Sequence, residues 1–222
     1  MRLDLAFAKR MLGSAALAAA LVPAGLAWAV SGGSGPGNAV QQDTSTGAVA
    51  GGASSVSTGL SSTAVGTASQ AVGNLGTAIG GQTQALQSDT SALGFGAVAS
   101  GLSATALGAA TQAVGLGTSA MGFNAIASGD RSMALGTAAQ SVGINSVAVG
   151  TNSIAFSSGA VAVGLGSQAV GGNSVAIGAA STSQATNAVA VGANATANQA
   201  GSVAMGNLAM ASATGSVALG QN

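Results

Sequence analysis

From residue 48 onward the chain repeats one short pattern of apolar and polar positions. Glycine recurs at 52, 66, 80, 94, 108, 122, 136, 150, 164, 178, 192, 206 and 220, a spacing of 14 held over 13 occurrences. Two residues before each stands alanine, from Ala50 and Ala64 to Ala204 and Ala218. One residue before stands Val, Ile, Leu or Met, as in Val149, Val163, Ile177, Val191, Met205 and Leu219; only Gly51 interrupts this column. Three residues before, the later units carry Val147, Val161, Val175, Val189, Val203 and Val217. The earlier units mostly carry Thr or Ser there, with Val49 and Met133 as exceptions. Ser146–Gly150 shows the unit in full: a small residue, then V-A-V-G. Period-2 alternation with β-branched residues predicts a short strand.

A second alternation of Ala, Ser and Thr follows three and five residues after each glycine, as in Ser153 and Ala155 or Ser167 and Ala169. Gly101, Gly115, Gly129, Gly143 and Gly171, each seven residues after a repeat glycine, mark a second turn. Two strands and two turns in 14 residues make one coil of a parallel β-solenoid, an all-β fold of about 13 coils. Coils stacked at about 4.8 Å give a rod on the order of 60 Å long. A helix would need a 3.6-residue period, and each glycine would cost it about 1 kcal/mol.

In a coil of two strands the facing walls lie close, so inward positions must be small. The alanine column, with Ala148, Ala162, Ala176, Ala190 and Ala204, meets that demand, and Gly150, Gly164, Gly178, Gly192 and Gly206 close the turns. The larger columns then point outward: Val147 and Val149, Val161 and Val163, Val175 and Ile177, Val189 and Val191, Val203 and Met205, Val217 and Leu219. Such a stripe exceeds or equals the largest apolar patch of about 300–600 Å² on typical monomers. Burying each side chain is worth roughly 1.5–3 kcal/mol, so these residues are the candidate subunit interface. The opposite assignment, with large residues inside and alanine outside, is the alternative.

The N-terminal segment reads differently. Arg2, Lys9 and Arg10 precede an apolar run from Met11 to Val22, Pro23 and Gly25 break it, and Ala27-Trp28-Ala29 follows. Basic, apolar and small-residue regions in that order form a secretory signal over residues 1–29, cleaved between Ala29 and Val30. The rival is an uncleaved anchor, but the run is shorter than the ~20 residues a span needs. Residues 30–47, rich in Gly and Ser, predict a flexible lead-in, unless they pair with the first ordered element. The repeats occupy 48–222.

Composition narrows the function. Only 4% of residues are charged and 2% aromatic, while mean hydropathy is +0.55. Low hydrophobicity, the usual mark of disorder, is absent. Past the signal the charged side chains are Asp43, Asp89, Asp130 and Arg131, too few for the basic patch that nucleic acid requires. With no His or Cys, the commonest soft metal ligands and the thiol nucleophile are missing, and no Lys past the signal activates a serine. Asp89 and Asp130 lie nearly three coils apart, about 14 Å along the rod, too far for a glycosidase pair. No enzyme activity, cofactor, metal or small-molecule substrate is expected.

Asn145–Gly150 (NSVAVG), Asn173–Gly178 (NSVAIG), Gly201–Gly206 (GSVAMG) and Gly215–Gly220 (GSVALG) resemble the head repeats of YadA-type trimeric autotransporter adhesins. The resemblance covers residues 48–222. It implies a left-handed parallel β-roll in which three chains associate about a common axis, displayed at the bacterial outer surface. It also implies attachment to host matrix proteins, cells or abiotic surfaces. Such adhesins continue into a coiled-coil stalk and a membrane barrel. Here no heptads and no barrel strand follow, and no membrane anchor is expected within this chain, read either as a fragment or as a secreted head. An unfinished last coil would leave an open strand edge, which suggests end-to-end stacking.

Candidate surface contacts are Phe95 and Phe123, which share a column 28 residues apart, and the charged turn Asp130-Arg131. The plainer readings are cover for a coil corner and a solvated or inter-subunit ion pair. The expectation is a homotrimeric, exported adhesin head that contacts an extracellular matrix protein or other surface ligand. A self-assembling filament subunit is the alternative. An ice-binding solenoid ranks third, because the Thr column gives way to Val.

Overall fold

The computed structural model describes residues 30–31, 41–42 and 46–220, which form short strands joined by turns and bends, with no helix among them. The described residues form 27 strands, and after the first two, strands of three residues alternate with strands of two. The three-residue strands, from β3 (Val49–Gly51) to β27 (Val217–Leu219), line up in one sheet. The two-residue strands, from β4 (Val56–Ser57) to β26 (Met210–Ala211), line up in the other. All these neighbours pair in parallel and in register at a spacing of 14, so that Val147, Ala148 and Val149 meet Val161, Ala162 and Val163. From β3 to β26 the chain completes twelve coils, and β27 begins a thirteenth.

Backbone bonding runs through the turns as well as the strands. Val147 N–H donates to Ala160 O at 2.9 Å, Gly150 N–H to Leu135 O at 2.8 Å, and Asn152 N–H in the turn to Thr137 O at 2.9 Å. Each coil is thereby tied to both neighbours, which spares a thin rod the cost of unpaired backbone groups.

The interior between the sheets holds nothing larger than threonine. Ala148, Ala162, Ala176, Ala190 and Ala204 have zero exposure, as do Ala155, Ala169 and Ala197 on the facing wall. The alanine column therefore points inward and the Val/Ile/Leu/Met column outward. Most hydroxyls among the inward residues are used locally, those of Ser132, Ser174 and Ser183 being without a partner: Thr111 Oγ1 donates to Gly108 O at 2.6 Å, Ser153 Oγ to Gly150 O at 2.9 Å, and Ser146 Oγ to Gly143 O at 2.6 Å. Each bond reaches back three residues to a turn carbonyl, so Ser and Thr fill the core and brace the corner together.

Each turn also fixes the chain chemically. Gly150 has φ 128°, and a Cβ there would lie 2.5 Å from Gly164 O of the next coil, so both backbone shape and stacking require glycine. The second turn works differently. Gly129 has no positive φ and is needed because a Cβ would overlap Gly143 of the next coil. The left-handed residue there lies two positions later, at Arg131 or Asn145 (both φ 56°).

The lead-in has structure where it is described. β1 (Val30–Ser31) pairs antiparallel with β4, and β2 (Gln41–Gln42) pairs antiparallel with β3. Both sheets are thus covered at their N-terminal edge. Of the two readings the sequence left open, pairing with the first ordered element is the one these four residues adopt. Ala27 and Ala29, the residues expected to precede the cleavage point, lie outside the described residues.

Candidate functional site

Because the inner wall is uniform, the chemistry of the rod lies on its outer faces. On the three-residue sheet, Val147, Val149, Val161, Val163, Val175, Val189, Val191 and Val203 are half-buried by their neighbours along the column. Ile177 and Met205 are more open, and at the final strand Val217 and Leu219 reach 63% and 72% exposure. In-register stacking makes these side chains one continuous ridge. Towards the N-terminus the ridge narrows to a single apolar column, because Thr63, Thr77, Ser91, Thr105 and Ser119 replace valine in the other.

The opposite face was not singled out by the sequence reading. Its strand column runs Val56, Gln70, Gln84, Val98, Gln112, Ile126, Gln140, Ile154, Gln168, Thr182, Thr196 and Met210. The next outward column runs Thr58, Val72, Leu86, Ser100, Val114, Ser128, Val142, Phe156 and Val170, then turns polar at Gln184 and Asn198. Up to Gln168 the two columns are mostly in opposite phase, amide beside apolar, with Ile154 and Phe156 the exception. The signal was available in the sequence as a period of 28 residues superposed on that of 14.

Phe95 and Phe123 stand at the corner after the repeat glycine, 63% and 56% exposed. A Cβ at Gly81 would sit 3.2 Å from the Phe95 ring, so Phe95 covers the preceding coil's corner while keeping most of its surface in water. Asp130 Oδ1 accepts a hydrogen bond from Leu116 N–H at 2.9 Å, and Asn74 Oδ1 does the same for Leu60 N–H at 3.0 Å. Asp130 therefore ties its turn to the coil before it. Its neighbour Arg131 occupies the left-handed position of the turn. The structure does not bring the phenylalanines and the charged turn together into one site. Among the described residues no cluster of three or more His, Cys, Asp or Glu offers a metal site, and no helix is long and apolar enough to cross a membrane.

A rod with a methyl-and-hydroxyl interior and a patterned exterior belongs to the solenoid class of repeat proteins, whose long faces serve as contact surfaces. The YadA head domain repeat matches this chain in eleven overlapping segments, from residues 57–82 through to 197–222. The chain belongs to the YadA head family, a family of non-enzymatic adhesins. Among solved structures it is similar to the collagen-binding domain of the Yersinia adhesin YadA. The two share 29% identity over 68% of this chain and 69% of that one, with a TM-score of 0.46. No curated protein matches.

Proposed function

We propose that this chain is the head of an exported adhesin that acts as a homotrimer at the cell surface or in the extracellular space. It attaches there to matrix proteins, cells or abiotic surfaces. The observation that carries the reading is the apolar ridge on the three-residue sheet of a family of adhesin heads. A ridge of that length in water costs more than one buried between copies, and three chains about a common axis cover it on all of them. Residues 1–29 serve as the export signal, and Ala27, Ala29 and Val30 define its cleavage point.

Attachment by such a head relies on repetition, since individually weak polar and apolar contacts recur in every coil and three times per trimer. Surfaces coated with collagen, the ligand named for the Yersinia domain, with a second matrix protein, and with albumin provide the test. Saturable retention on a matrix coat above the albumin level is the expected result. Equal retention on all three, or on none, contradicts attachment to a matrix protein. The filament alternative is weakened at one end, because β1 and β2 cover both sheets at the N-terminal edge where another rod would dock.

A further inference from the structure

The outer face of the two-residue sheet has a period of two coils, about 9.6 Å. Between Gln84 and Gln168 its strand column alternates strictly, amide then β-branched apolar, and reads the same in both directions from Ile126. The neighbouring column is in opposite phase for most of this length: Ser100 beside Val98, Val114 beside Gln112, Ser128 beside Ile126. Glutamines stacked at every coil would form an amide ladder with one another. Here an apolar residue separates each pair, so the amides are not arranged to satisfy each other that way. No charged residue lies in either column over this stretch.

Two copies of a face can meet in two closed, symmetric ways. A two-fold axis along the rod sets the rods parallel and lays each column on the other column of the same coil. Gln112 would then face Val114, and Ile126 would face Ser128, polar on apolar in every coil but that of Ile154 and Phe156. A two-fold axis along the strands sets the rods antiparallel and lays each column on itself, with the coil order reversed. Gln112 then faces Gln140, Gln84 faces Gln168, Val98 faces Ile154, and Ile126 faces its own copy. An amide carries both donors and an acceptor, so like pairs with like along the whole strand column. In the neighbouring column Leu86 faces Val170 and Val114 faces Val142, and Ser100 against Phe156 is the one unlike pair.

We propose that this face pairs with the same face of a second copy, antiparallel, about a two-fold axis through the coil of Ile126. Heads displayed on two facing surfaces meet in that orientation, so the contact joins one surface to another. Seven coils and two columns bury on the order of 300 Å² per partner. That is well below the roughly 800 Å² per partner of a stable complex. Single pairs are therefore weak, and dense arrays hold through multivalency. The pairing uses the face away from the apolar ridge and does not depend on the trimer.

The test uses full chain fixed densely by its C-terminal end to beads, so that colliding beads present antiparallel rods. Wild-type beads are expected to cluster. Gln112→Glu with Gln140→Glu places like charges opposite each other and should raise the bead concentration needed for clustering by about tenfold. Gln112→Glu with Gln140→Lys places opposite charges opposite each other and should restore clustering. Gln84→Glu with Gln112→Lys has the same net charge but faces each new charge with an amide, and should not restore it. All three positions point outward from the roll, and circular dichroism identical to wild type confirms the fold of each variant. Wild-type beads that stay dispersed, a Glu/Glu variant that clusters normally, or equal clustering by the two neutral variants overturns the proposal. Light-scattering mass of the unattached chain reports the trimer separately.

Discussion

On the three-residue wall, Val161 and Val163 flank Ala162 and stack on Val175 and Ile177 of the next coil. On the two-residue wall, Gln168 and Ala169 stack on Thr182 and Ser183. The inward partners are small on both walls, alanine throughout on the first and Ala or Ser on the second. The outward ones are not. From Val147 onward one wall repeats an apolar pair coil after coil, which suits a continuous contact along the rod. The other alternates amide and apolar side chains, which suits a contact with a register. The fold needs only the inner columns, so each outer wall was free to acquire its own surface chemistry.

The sharpest break in that comparison comes from inside. Ala162→Leu should cost about 3 kcal/mol or more, since the core holds no side chain above threonine and the backbone ladder resists widening. Val161→Leu, one residue away but outward, should stay within about 0.5 kcal/mol. Thermal unfolding followed by far-ultraviolet circular dichroism measures both. Similar losses at the two sites would mean that the walls are not closed on each other as described.

The second break separates the walls. Val161→Lys with Val175→Lys should reduce the solution mass from three chains to one, through like charges placed on the ridge. Val142→Lys on the other wall should leave the mass unchanged. Sedimentation velocity reads the difference.

Most of the fold was legible in the sequence because a coil has so few inward positions. Thirteen repeats of A-x-G in one frame leave only a roll that demands a methyl at the same place every time. The turns were half legible. Gly129 marked the correct corner, but the left-handed residue lies at Arg131 and its equivalents, and positions such as Asn145, Asn173 and Asn187 showed the preference without a glycine. The amide and apolar alternation was missed because a 14-residue frame averages over a 28-residue period. The pairing of Val30–Ser31 and Gln41–Gln42 with the first coil had no local signal, since two-residue strands are set by the edge they cover.

Smaller effects sharpen the account of the shared interior. Thr111→Val keeps shape but removes the hydroxyl that donates to Gly108 O, and should cost about 1 kcal/mol in denaturant unfolding. Ala138 has φ 54°, a conformation that disfavours any Cβ. Ala138→Gly should therefore stabilise by about 0.5–1 kcal/mol, the smallest shift expected and the only gain. A loss there would show that the methyl packs against the neighbouring coil more than its backbone suffers.

The central claim is that the outward ridge of Val, Ile, Leu and Met is a subunit interface. Multi-angle light scattering with refractive-index detection measures it directly, on protein lacking residues 1–29, which retains neither Trp nor Tyr for absorbance. A mass of three chains, unchanged on tenfold dilution, is the predicted result. A single-chain mass with the native circular dichroism spectrum would leave the ridge in water and contradict the account.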